Sequence, residues 1–390
     1  MKPAILSLAL IVAAATPISE AQPLPPANHF IVVDLHGPPY ERGLEHGHKL
    51  KAEIVQGIAI WKQNLTSTFG VDADDFIKTF LLKTDYLPSI KQWTPDLLEE
   101  VKGIAKGSGV DFDTILAFQL MDEYWVNGPA LEHEHCSAMG LQGKDGKPTV
   151  IAQNMDLESF RNGFQTILHI HEASGKEELV LSQPGLIAFN GVNNAGIAVN
   201  TNTLAQLAHG RTGLPVAFIV RGILERESLA DAAAFVKGIT HASGQNYTIG
   251  DPTHVAYFEA SAHSVVEVFG SPGTFILHTN HPVVNIDYGV PVSKEMVTPG
   301  TLDNSHIRYQ TLQNRLSAGP GDDPLKLIQE TLRSRDSATD PVSRPLLPGA
   351  SFFTYSSTIM VLSGKPHLIA SPGPPDVNPY STFQFERARH

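Results

Sequence analysis

The sequence contains very little cysteine, since Cys136 is the only one among 390 residues. A disulfide within the chain is therefore excluded. A lone thiol is either used chemically or buried as a small apolar side chain, and its neighbours must decide between the two.

Basic residues are also scarce, with 28 Lys and Arg against 40 Asp and Glu and a net charge of −12. Nucleic acid is excluded as a partner, because phosphate binding needs clustered basic side chains that the sequence does not have. The 42% hydrophobic and 17% charged residues are typical of a globular protein.

No apolar run is long enough to cross a membrane. The run from Ala4 to Ala15 falls short of the about 20 residues that a spanning helix needs. Lys2 precedes this run and small residues up to Ala21 follow it, which is the pattern of a secretory signal peptide. We predict that residues 1–21 are removed before Gln22 and that the protein is secreted or periplasmic, without a membrane span.

Several common hydrolase motifs are missing, namely HExxH and CxxC for zinc and GxSxG for a serine nucleophile. A papain-like site is poorly supported because Cys136 opens a strand rather than a helix. Three pairs of histidines resemble chelating pairs, but zinc needs three or four ligands, whose spacing the sequence does not supply. The pairs are His46 and His48, His133 and His135, and His169 and His171. We expect neither a metal nor an organic cofactor.

The order of patterns along the chain predicts an α+β fold. Residues 41–118 have helical periodicity, including a helix that begins at Pro95 with Thr94 as N-cap and ends at Gly107. From Cys136 to about Asn200 the period changes to two, and later groups of strands alternate with pairs of helices. Strands grouped in this way predict antiparallel sheets covered by helices.

Cys136 lies where the helical part stops and the first sheet strand begins. If the peptide bond between His135 and Cys136 were cut, the freed α-amino group, with a pKa of about 7.7 to 8.0, would be a base close to the sulfur. A thiol needs such a base because the thiolate is the nucleophile. The position therefore favours a reactive Cys136.

The sequence around Cys136 resembles a known family. The Cys136-Ser137 start, a hairpin and AQNMD ending at Asp156 are similar to the start of the mature β chain in the penicillin acyltransferase (acyl-CoA:6-aminopenicillanic acid acyltransferase) family. These are autoproteolytic N-terminal-nucleophile (Ntn) hydrolases, related to the choloylglycine hydrolases. Further similar segments are PYERGLEHGHKL (39–50), GVNNAGIAVNTNTL (191–204), GQNYTIGD (244–251), HTNH (278–281) and SHIRYQTL (305–312).

The resemblance implies a four-layer αββα fold in one compact domain. It implies that the chain cuts itself into a small helical chain (residues 22–135) and a large catalytic chain (136–390), which stay associated. Cys136 would be the nucleophile, and Asp156 would hold the α-amino group in place. Asn280 and Asn202 would donate hydrogen bonds to the oxyanion of the tetrahedral intermediate.

Arg308 stands where the family often has an arginine near the site, where it would lower the thiol pKa or bind an acidic group. His306 is an alternative for the aligned position. Gln153 replaces an arginine of the choloylglycine relatives, so we expect a less positive site. His135 precedes the nucleophile where glycine is common.

The resulting hypothesis is a secreted cysteine Ntn hydrolase that cleaves or transfers the acyl group of a linear amide, such as an N-acyl compound or a penicillin, through an acyl-thioester on Cys136. The expected partner is a small-molecule N-acyl substrate. Two alternatives stay open: an exported binding protein with an inert thiol, and a peptidase that acts on N-acyl peptides.

Overall fold

Helices dominate the described residues before Cys136, and strands dominate those that follow it. A computed structural model describes residues 29–126, 136–289 and 303–386. The helices are α1 (Pro39–Lys49), α2 (Lys51–Phe69), α3 (Ala73–Lys83), α4 (Leu87–Trp93), α5 (Pro95–Ser108), α6 (Phe112–Phe118), α7 (Met121–Val126), α8 (Val216–Leu224), α9 (Leu229–Gly238), α10 (Asp303–Leu316) and α11 (Pro324–Leu332). The strands are β1 (Ile31–His36), β2 (Ser137–Leu141), β3 (Val150–Glu158), β4 (Thr166–His171), β5 (Glu177–Ser182), β6 (Asn190–Asn193), β7 (Ala198–Thr203), β8 (Gln245–Gly250), β9 (Val255–Ala260), β10 (Val265–Phe269), β11 (Phe275–His278), β12 (Phe352–Val361), β13 (His367–Ser371) and β14 (Ser381–Gln384).

The strands form two sheets that pack face to face. One has the order β1-β4-β5-β6-β7-β8-β9-β10 and the other β11-β2-β3-β12-β13-β14. Strands β2 and β3 contact β7 and β8 across the interface, α8 and α9 contact the eight-stranded sheet, and α10 and α11 contact the six-stranded sheet. The predicted four-layer αββα fold is thus confirmed.

Two apolar cores hold the layers together. The smaller one lies between the six-stranded sheet and helices α10 and α11, where Met139 and Ile359 pack with Leu312 and Ile328. The larger one includes the inner faces of the sheets and the helices of the first 126 residues. Because the helical and sheet regions share this core, the described residues on both sides of the predicted cut fold together.

Several helices begin at a residue whose side chain caps the first turn. Asp72, Asp111, Ser228 and Asp323 each accept a hydrogen bond from a backbone N–H of α3, α6, α9 or α11. These side chains satisfy donors that the helix itself leaves unpaired.

Helix α5 begins at Pro95 as predicted, but its ends differ in detail from the prediction. The Thr94 hydroxyl donates to the carbonyl of Ile90 and does not cap α5. The helix continues through Gly107 and ends at Ser108. Gly109 is its C-cap and has a left-handed backbone conformation with φ 78°. Gly107 serves another purpose, because a Cβ there would lie 2.4 Å from the carbonyl oxygen of Leu44.

Helices α1 and α5 cross at very short distance through glycines on both helices. A Cβ on Gly103 would lie 2.2 Å from the carbonyl oxygen of Tyr40, and one on Gly43 would lie 1.9 Å from that of Glu100. Only a residue without a Cβ fits at such a backbone approach.

A buried chain of charges connects α1, α5, α8 and β5. Glu100 accepts hydrogen bonds from Arg42 at 2.7 Å and from Arg221 at 2.9 Å, and Arg221 also donates to Glu178 at 2.9 Å. Burial alone raises the pKa of Glu100, but Arg221 and Arg42 outweigh it and hold the pKa at about 2. This network joins the region before Cys136 to the region after it.

Among the described residues, no helix is both long and apolar enough to span a membrane. The predicted signal peptide, residues 1–21, and the predicted cleavage residue His135 lie outside the described residues.

Candidate active site

Cys136 directly precedes β2 and is buried, with 2% of its surface exposed. The register of β2 against β3 pairs Ser137 with Asn154, which fixes the position of the thiol relative to β3. The backbone carbonyl of Cys136 accepts a hydrogen bond from Nη1 of Arg308. The residue predicted as nucleophile is thus anchored at the start of a central strand.

Arg308 on α10 connects two other predicted site residues, Cys136 and Asn280. Besides the Cys136 carbonyl, its guanidinium donates to Oγ of Ser137 at 3.0 Å and to Oδ1 of Asn280 at 3.0 Å. Burial lowers the pKa of Arg308 to about 10, while Asp156 and Cys136 raise it. The guanidinium therefore stays charged at neutral pH beside the thiol, where a positive charge favours the thiolate.

The alternative position, His306, lies on the same helix but makes a different contact. Its ring stacks on that of His281, with the ring centroids 4.0 Å apart. The direct contact with Cys136 belongs to Arg308.

Asp156 on β3 is fully buried among polar groups. Its Oδ1 accepts a hydrogen bond from Oγ1 of Thr354 at 2.7 Å, and its Oδ2 lies 3.4 Å from Nε of Arg344 in an ion pair that falls short of a hydrogen bond. Burial raises the pKa of Asp156 to about 6, against the opposing effects of Arg344, Thr354 and Arg308. Oδ2 therefore retains capacity to accept a hydrogen bond.

The thiol and the Asp156 carboxylate occupy different sides of β3. Met155 and Leu157, which flank Asp156, line a small cavity together with Cys136. Because side chains alternate along a strand, the Asp156 side chain points away from this cavity. The Asp156 carboxylate thus lies on the face of β3 opposite the cavity.

Asn280 follows β11 and is fixed by several hydrogen bonds. Its backbone N–H donates to Oγ of Ser305 at 2.8 Å, and its Nδ2 donates to the carbonyl of Thr203 at 3.2 Å. Arg308 donates to its Oδ1, which sets the orientation of the amide. Since Nδ2 has two hydrogens, one donor remains for another acceptor.

Asn202 lies on β7 and is fully buried. It pairs in register with Asn246 on β8, whose Nδ2 donates to Oδ1 of Asn202 at 3.0 Å. Its own Nδ2 has no hydrogen-bond acceptor within residues 29–126, 136–289 and 303–386. A buried, oriented amide donor without an acceptor is costly, and it is the arrangement expected of a group that binds an oxyanion.

The cavity beside Cys136 is mainly apolar. Its lining residues are Gln119, Met121, Asp122, Cys136, Met155, Leu157, Leu186, Ala188, Phe189, Thr201, Thr203, Val216 and Ala217. They come from α7, β3, β7, α8, the segment before β6, the residue after α6 and the residue before β2, so no single sequence motif predicts them. The lining suits an apolar group next to the sulfur.

Asp122 is a cavity residue that the sequence motifs did not identify. Burial raises its pKa, while hydrogen bonds from Thr203 at 2.7 Å and from Gln245 at 3.2 Å oppose this shift. The adjacent Glu123 is also buried, and burial together with Asp122 raises its pKa to about 8. Two successive acids within an apolar helical pattern are the signal that marks this position.

Gln153 faces the interface between the sheets. Its Nε2 donates to the carbonyl of Thr201, and its Oε1 accepts from Asn190 at 2.9 Å. A neutral amide at this position contributes no charge to the site, as the sequence predicts.

Comparison with known proteins gives a family match and two groups of relatives. Residues 141–360, more than half of the chain, match the family described as "Acyl-coenzyme A:6-aminopenicillanic acid acyl-transferase". The "Acyl-coenzyme A:6-aminopenicillanic-acid-acyltransferase 40 kDa form" of Emericella nidulans is 26% identical over 290 residues, covering 74% of this chain and 78% of that protein. "Protein dcd1A" of Dictyostelium discoideum is 26% identical over 246 residues, which cover 54% of this chain and 53% of that protein.

Among solved structures, a variant of the conjugated bile acid hydrolase from Clostridium perfringens is similar at 14% identity and a TM-score of 0.43, covering 64% of this chain and 97% of that one. Penicillin V acylase from Agrobacterium tumefaciens is similar at 14% identity and a TM-score of 0.40, covering 60% of this chain and 82% of that one.

Proposed function

The chain belongs to the acyl-coenzyme A:6-aminopenicillanic acid acyl-transferase family, and from this membership we propose that it hydrolyses or transfers acyl groups with Cys136 as nucleophile. The family match begins at residue 141, so the choice of nucleophile depends on the site itself. The proposal that Cys136 is the nucleophile rests on the contacts of Arg308, which binds the Cys136 carbonyl and orients the Asn280 amide at the same time.

The first step is self-cleavage before Cys136. The sulfur attacks the carbonyl carbon of His135, the C–N bond breaks, and the released nitrogen takes a proton and becomes the α-amino group of Cys136. The resulting thioester reacts with water, which frees the thiol and leaves a carboxylate on His135.

The new α-amino group then serves as base and acid. It takes the proton of the thiol, the thiolate attacks the substrate amide, and the proton passes to the departing amine. Asp156 is the proposed partner of this amine, because its buried Oδ2 has no hydrogen-bond donor within the described part of the chain and because Asp156 and Cys136 both influence the pKa of Arg308. Its carboxylate would hold the ammonium in position.

Asn280 and Asn202 would stabilise the oxyanion that forms when the thiolate adds to the substrate carbonyl. Each is buried, each is oriented by a partner on its Oδ1, and each retains an Nδ2 hydrogen for the oxyanion. Donors fixed in advance need no reorganisation when the charge develops, and this is the source of their effect on rate.

The substrate proposed is a linear amide with an apolar acyl group. The acyl group would enter the cavity lined by Met155, Leu157, Phe189 and Val216, next to the sulfur. The acyl-thioester would then react with water or with an amine, giving hydrolysis or acyl transfer. This chemistry requires no metal ion and no organic cofactor.

We further propose that residues 1–21 direct export and that the mature small chain begins at Gln22. N-terminal sequencing of protein recovered from the medium or periplasm tests this proposal. An N-terminus at Met1 in such material would contradict it.

Denaturing gel electrophoresis with intact-mass analysis tests the self-cleavage. We expect two fragments from the wild type, one of them beginning at Cys136, and a single precursor from Cys136→Ala. Cys136→Ser retains a weaker nucleophile and should be cut more slowly. Active wild-type protein in which residues 135 and 136 are still joined would overturn the mechanism, and an inactive, uncut chain that binds N-acyl compounds would instead support the binding-protein alternative.

A substrate panel separates the remaining activities. Penicillins, N-acyl amino acids, acyl homoserine lactones and N-acyl peptides are each scanned for amine release. The name of the Emericella relative motivates a second assay, with an acyl-coenzyme A as donor and 6-aminopenicillanic acid as acceptor. Acyl transfer without competing hydrolysis would identify a transferase, and cleavage of N-acyl peptides alone would identify a peptidase.

A further inference from the structure

A second group of reactive side chains lies on the eight-stranded sheet, on three strands that do not carry the candidate nucleophile. The parallel pairing of β1 with β4 places Asp34 opposite His169, and the antiparallel pairing of β4 with β5 places His171 opposite Glu177. Alternation along each strand puts these four side chains on one face. We refer to Asp34, His169 and His171 as the edge cluster.

The distances in the edge cluster are those between ligands of one metal ion. Oδ1 of Asp34 lies 3.3 Å from Nδ1 of His169 and 3.2 Å from Nε2 of His171. Ligand atoms about 2.0 to 2.1 Å from a tetrahedral zinc ion are about 3.3 Å from one another. The three ligand atoms all lie within 4.8 Å of one another, close to the limit of about 4.2 Å for two atoms that are each about 2.1 Å from the same ion.

Glu177 supplies the outer partner that metal-bound histidines usually have. Its Oε2 lies 2.8 Å from Nε2 of His169, so it would accept a hydrogen bond from that atom while Nδ1 faces the metal. Glu177 is itself held by the backbone N–H of Glu386 at 2.9 Å. A carboxylate fixed in this way sets both the tautomer and the orientation of the His169 ring.

We propose that the edge cluster binds one divalent transition-metal ion, with zinc as the best match to two imidazoles and one carboxylate. The ring of His36 stacks face to face on that of His171, with centroids 4.6 Å apart, so water completes the coordination. The ion connects β1 to β4. If the chain is cut before Cys136, which rests on the proposed function, the same ion connects the small chain to the large one.

Calorimetric titration of chelator-treated protein without a histidine tag tests the site. Zinc is expected to bind at one site per chain, and Asp34→Asn, His169→Gln and His171→Gln should each weaken this binding at least tenfold. Cobalt(II) should give the visible absorption of a four-coordinate ion in the wild type and lose it in the variants. His263→Gln is the matched control, because His263 pairs with Asp287 at 3.1 Å but belongs to no three-ligand group among the described residues.

Thermal unfolding with and without zinc distinguishes a loss of zinc binding from a folding defect in the variants. Zinc should raise the unfolding temperature of the wild type and of His263→Gln, and should leave that of His171→Gln unchanged while its circular dichroism spectrum stays native. Equal zinc affinity in the wild type and all three cluster variants would overturn the proposal, as would the absence of binding to the wild type.

The same titration with Cys136→Ala separates this inference from the proposed function. Zinc should bind the uncut precursor as it binds the wild type, so binding survives even if self-cleavage does not occur. In cut wild-type protein, the urea concentration that separates the two chains should fall when a chelator is added. An unchanged urea concentration would overturn the connecting role.

Discussion

At the scale of single residues, Arg308 connects the residue that carries the buried lone thiol to other polar groups of the candidate site. The guanidinium contacts the Cys136 backbone, Ser137 and Asn280, and it is close enough for Asp156 to influence its pKa. A positive charge and several fixed donors around one thiol favour the thiolate and a developing oxyanion.

Asn202→Ala should lower kcat by about 10²-fold to 10³-fold with little change in KM, because in the proposed mechanism the lost donor acts only on the oxyanion. Steady-state kinetics measure this change. Asn193→Ala is the control, since Asn193 is a buried asparagine whose Nδ2 donates to backbone carbonyls of Leu224 and Arg226. It should lower stability and leave kcat unchanged; an equal loss of kcat in both variants would contradict the role of Asn202.

His46 gives a prediction on pH. Burial lowers its pKa to about 4, against the influence of Glu100, and its Nε2 accepts from the N–H of Gly185 at 3.0 Å. Between pH 4 and 6.5 the unfolded chain binds more protons at this position than the folded one. The wild type should therefore lose stability as the pH falls below about 6.5, by up to about 1.4 kcal/mol per pH unit from His46 alone.

Urea unfolding of the wild type and His46→Gln at several pH values measures this contribution. The difference in free energy of unfolding between the two should shift in favour of the variant as the pH falls from 7 to 5. A constant difference between the wild type and His46→Gln would contradict the prediction.

Sequence motifs predicted a site residue only where a residue type suited to the chemistry also lies in a recognisable segment. Cys136 and Arg308 were predicted from the segments that contain them, and the structure brings them into contact. Asp122 was missed, because a cavity residue from α7 becomes visible only when α7 packs against β7. His169 and His171 were noted as a possible chelating pair, but the sequence did not supply a third ligand, because Asp34 and His169 meet only through strand pairing.

At the scale of secondary structure elements, the close crossing of α1 and α5 restricts which residues fit on the two helices. The prediction that α5 begins at Pro95 was confirmed, but its end was placed at Gly107, because a glycine near a helix end usually marks the terminus. Here Gly107 allows another backbone to approach. A single sequence does not separate these two uses of glycine.

Gly103→Ala tests the crossing. Its Cβ would lie 2.2 Å from the Tyr40 carbonyl oxygen, so we expect a loss of about 1 to 3 kcal/mol or more, despite the better helix propensity of alanine. Gly57→Ala on α2 is the control, because its Cβ would make an ordinary contact of 3.7 Å with Phe164. That variant should be neutral or more stable by up to about 1 kcal/mol; equal effects in thermal unfolding would contradict the tight crossing.

At the scale of the whole molecule, the α+β class and the order of helical and strand regions follow from periodicity. The pairing of β1 with β4 does not, since 129 residues separate the two strands and nothing in their patterns specifies a parallel partner. The network around Glu100 was likewise not predictable, because Arg42 and Arg221 reach Glu100 from distant parts of the sequence.

Glu100→Gln should destabilise the protein by about 3 to 5 kcal/mol, because it leaves the buried Arg42 without its carboxylate and leaves Arg221 with Glu178 alone. Chemical denaturation measures this loss. Glu99→Gln is the control on the same helix, since Glu99 pairs with Lys102 at the exposed surface, 2.6 Å apart. It should change the free energy of unfolding by less than about 1 kcal/mol; a loss as large as that of Glu100→Gln would contradict the importance of the buried network.

The position of β1 in the eight-stranded sheet has a consequence for how the protein can be made. A polypeptide that starts at Cys136 would leave the backbone edge of β4 open and the apolar surface beneath α1–α7 uncovered, and both promote aggregation. Coexpressing the two halves as separate genes should therefore yield little assembled protein, whereas expression as one chain keeps β1 and β4 on the same polypeptide while it folds. The proposed cut before Cys136 would therefore have to come after folding.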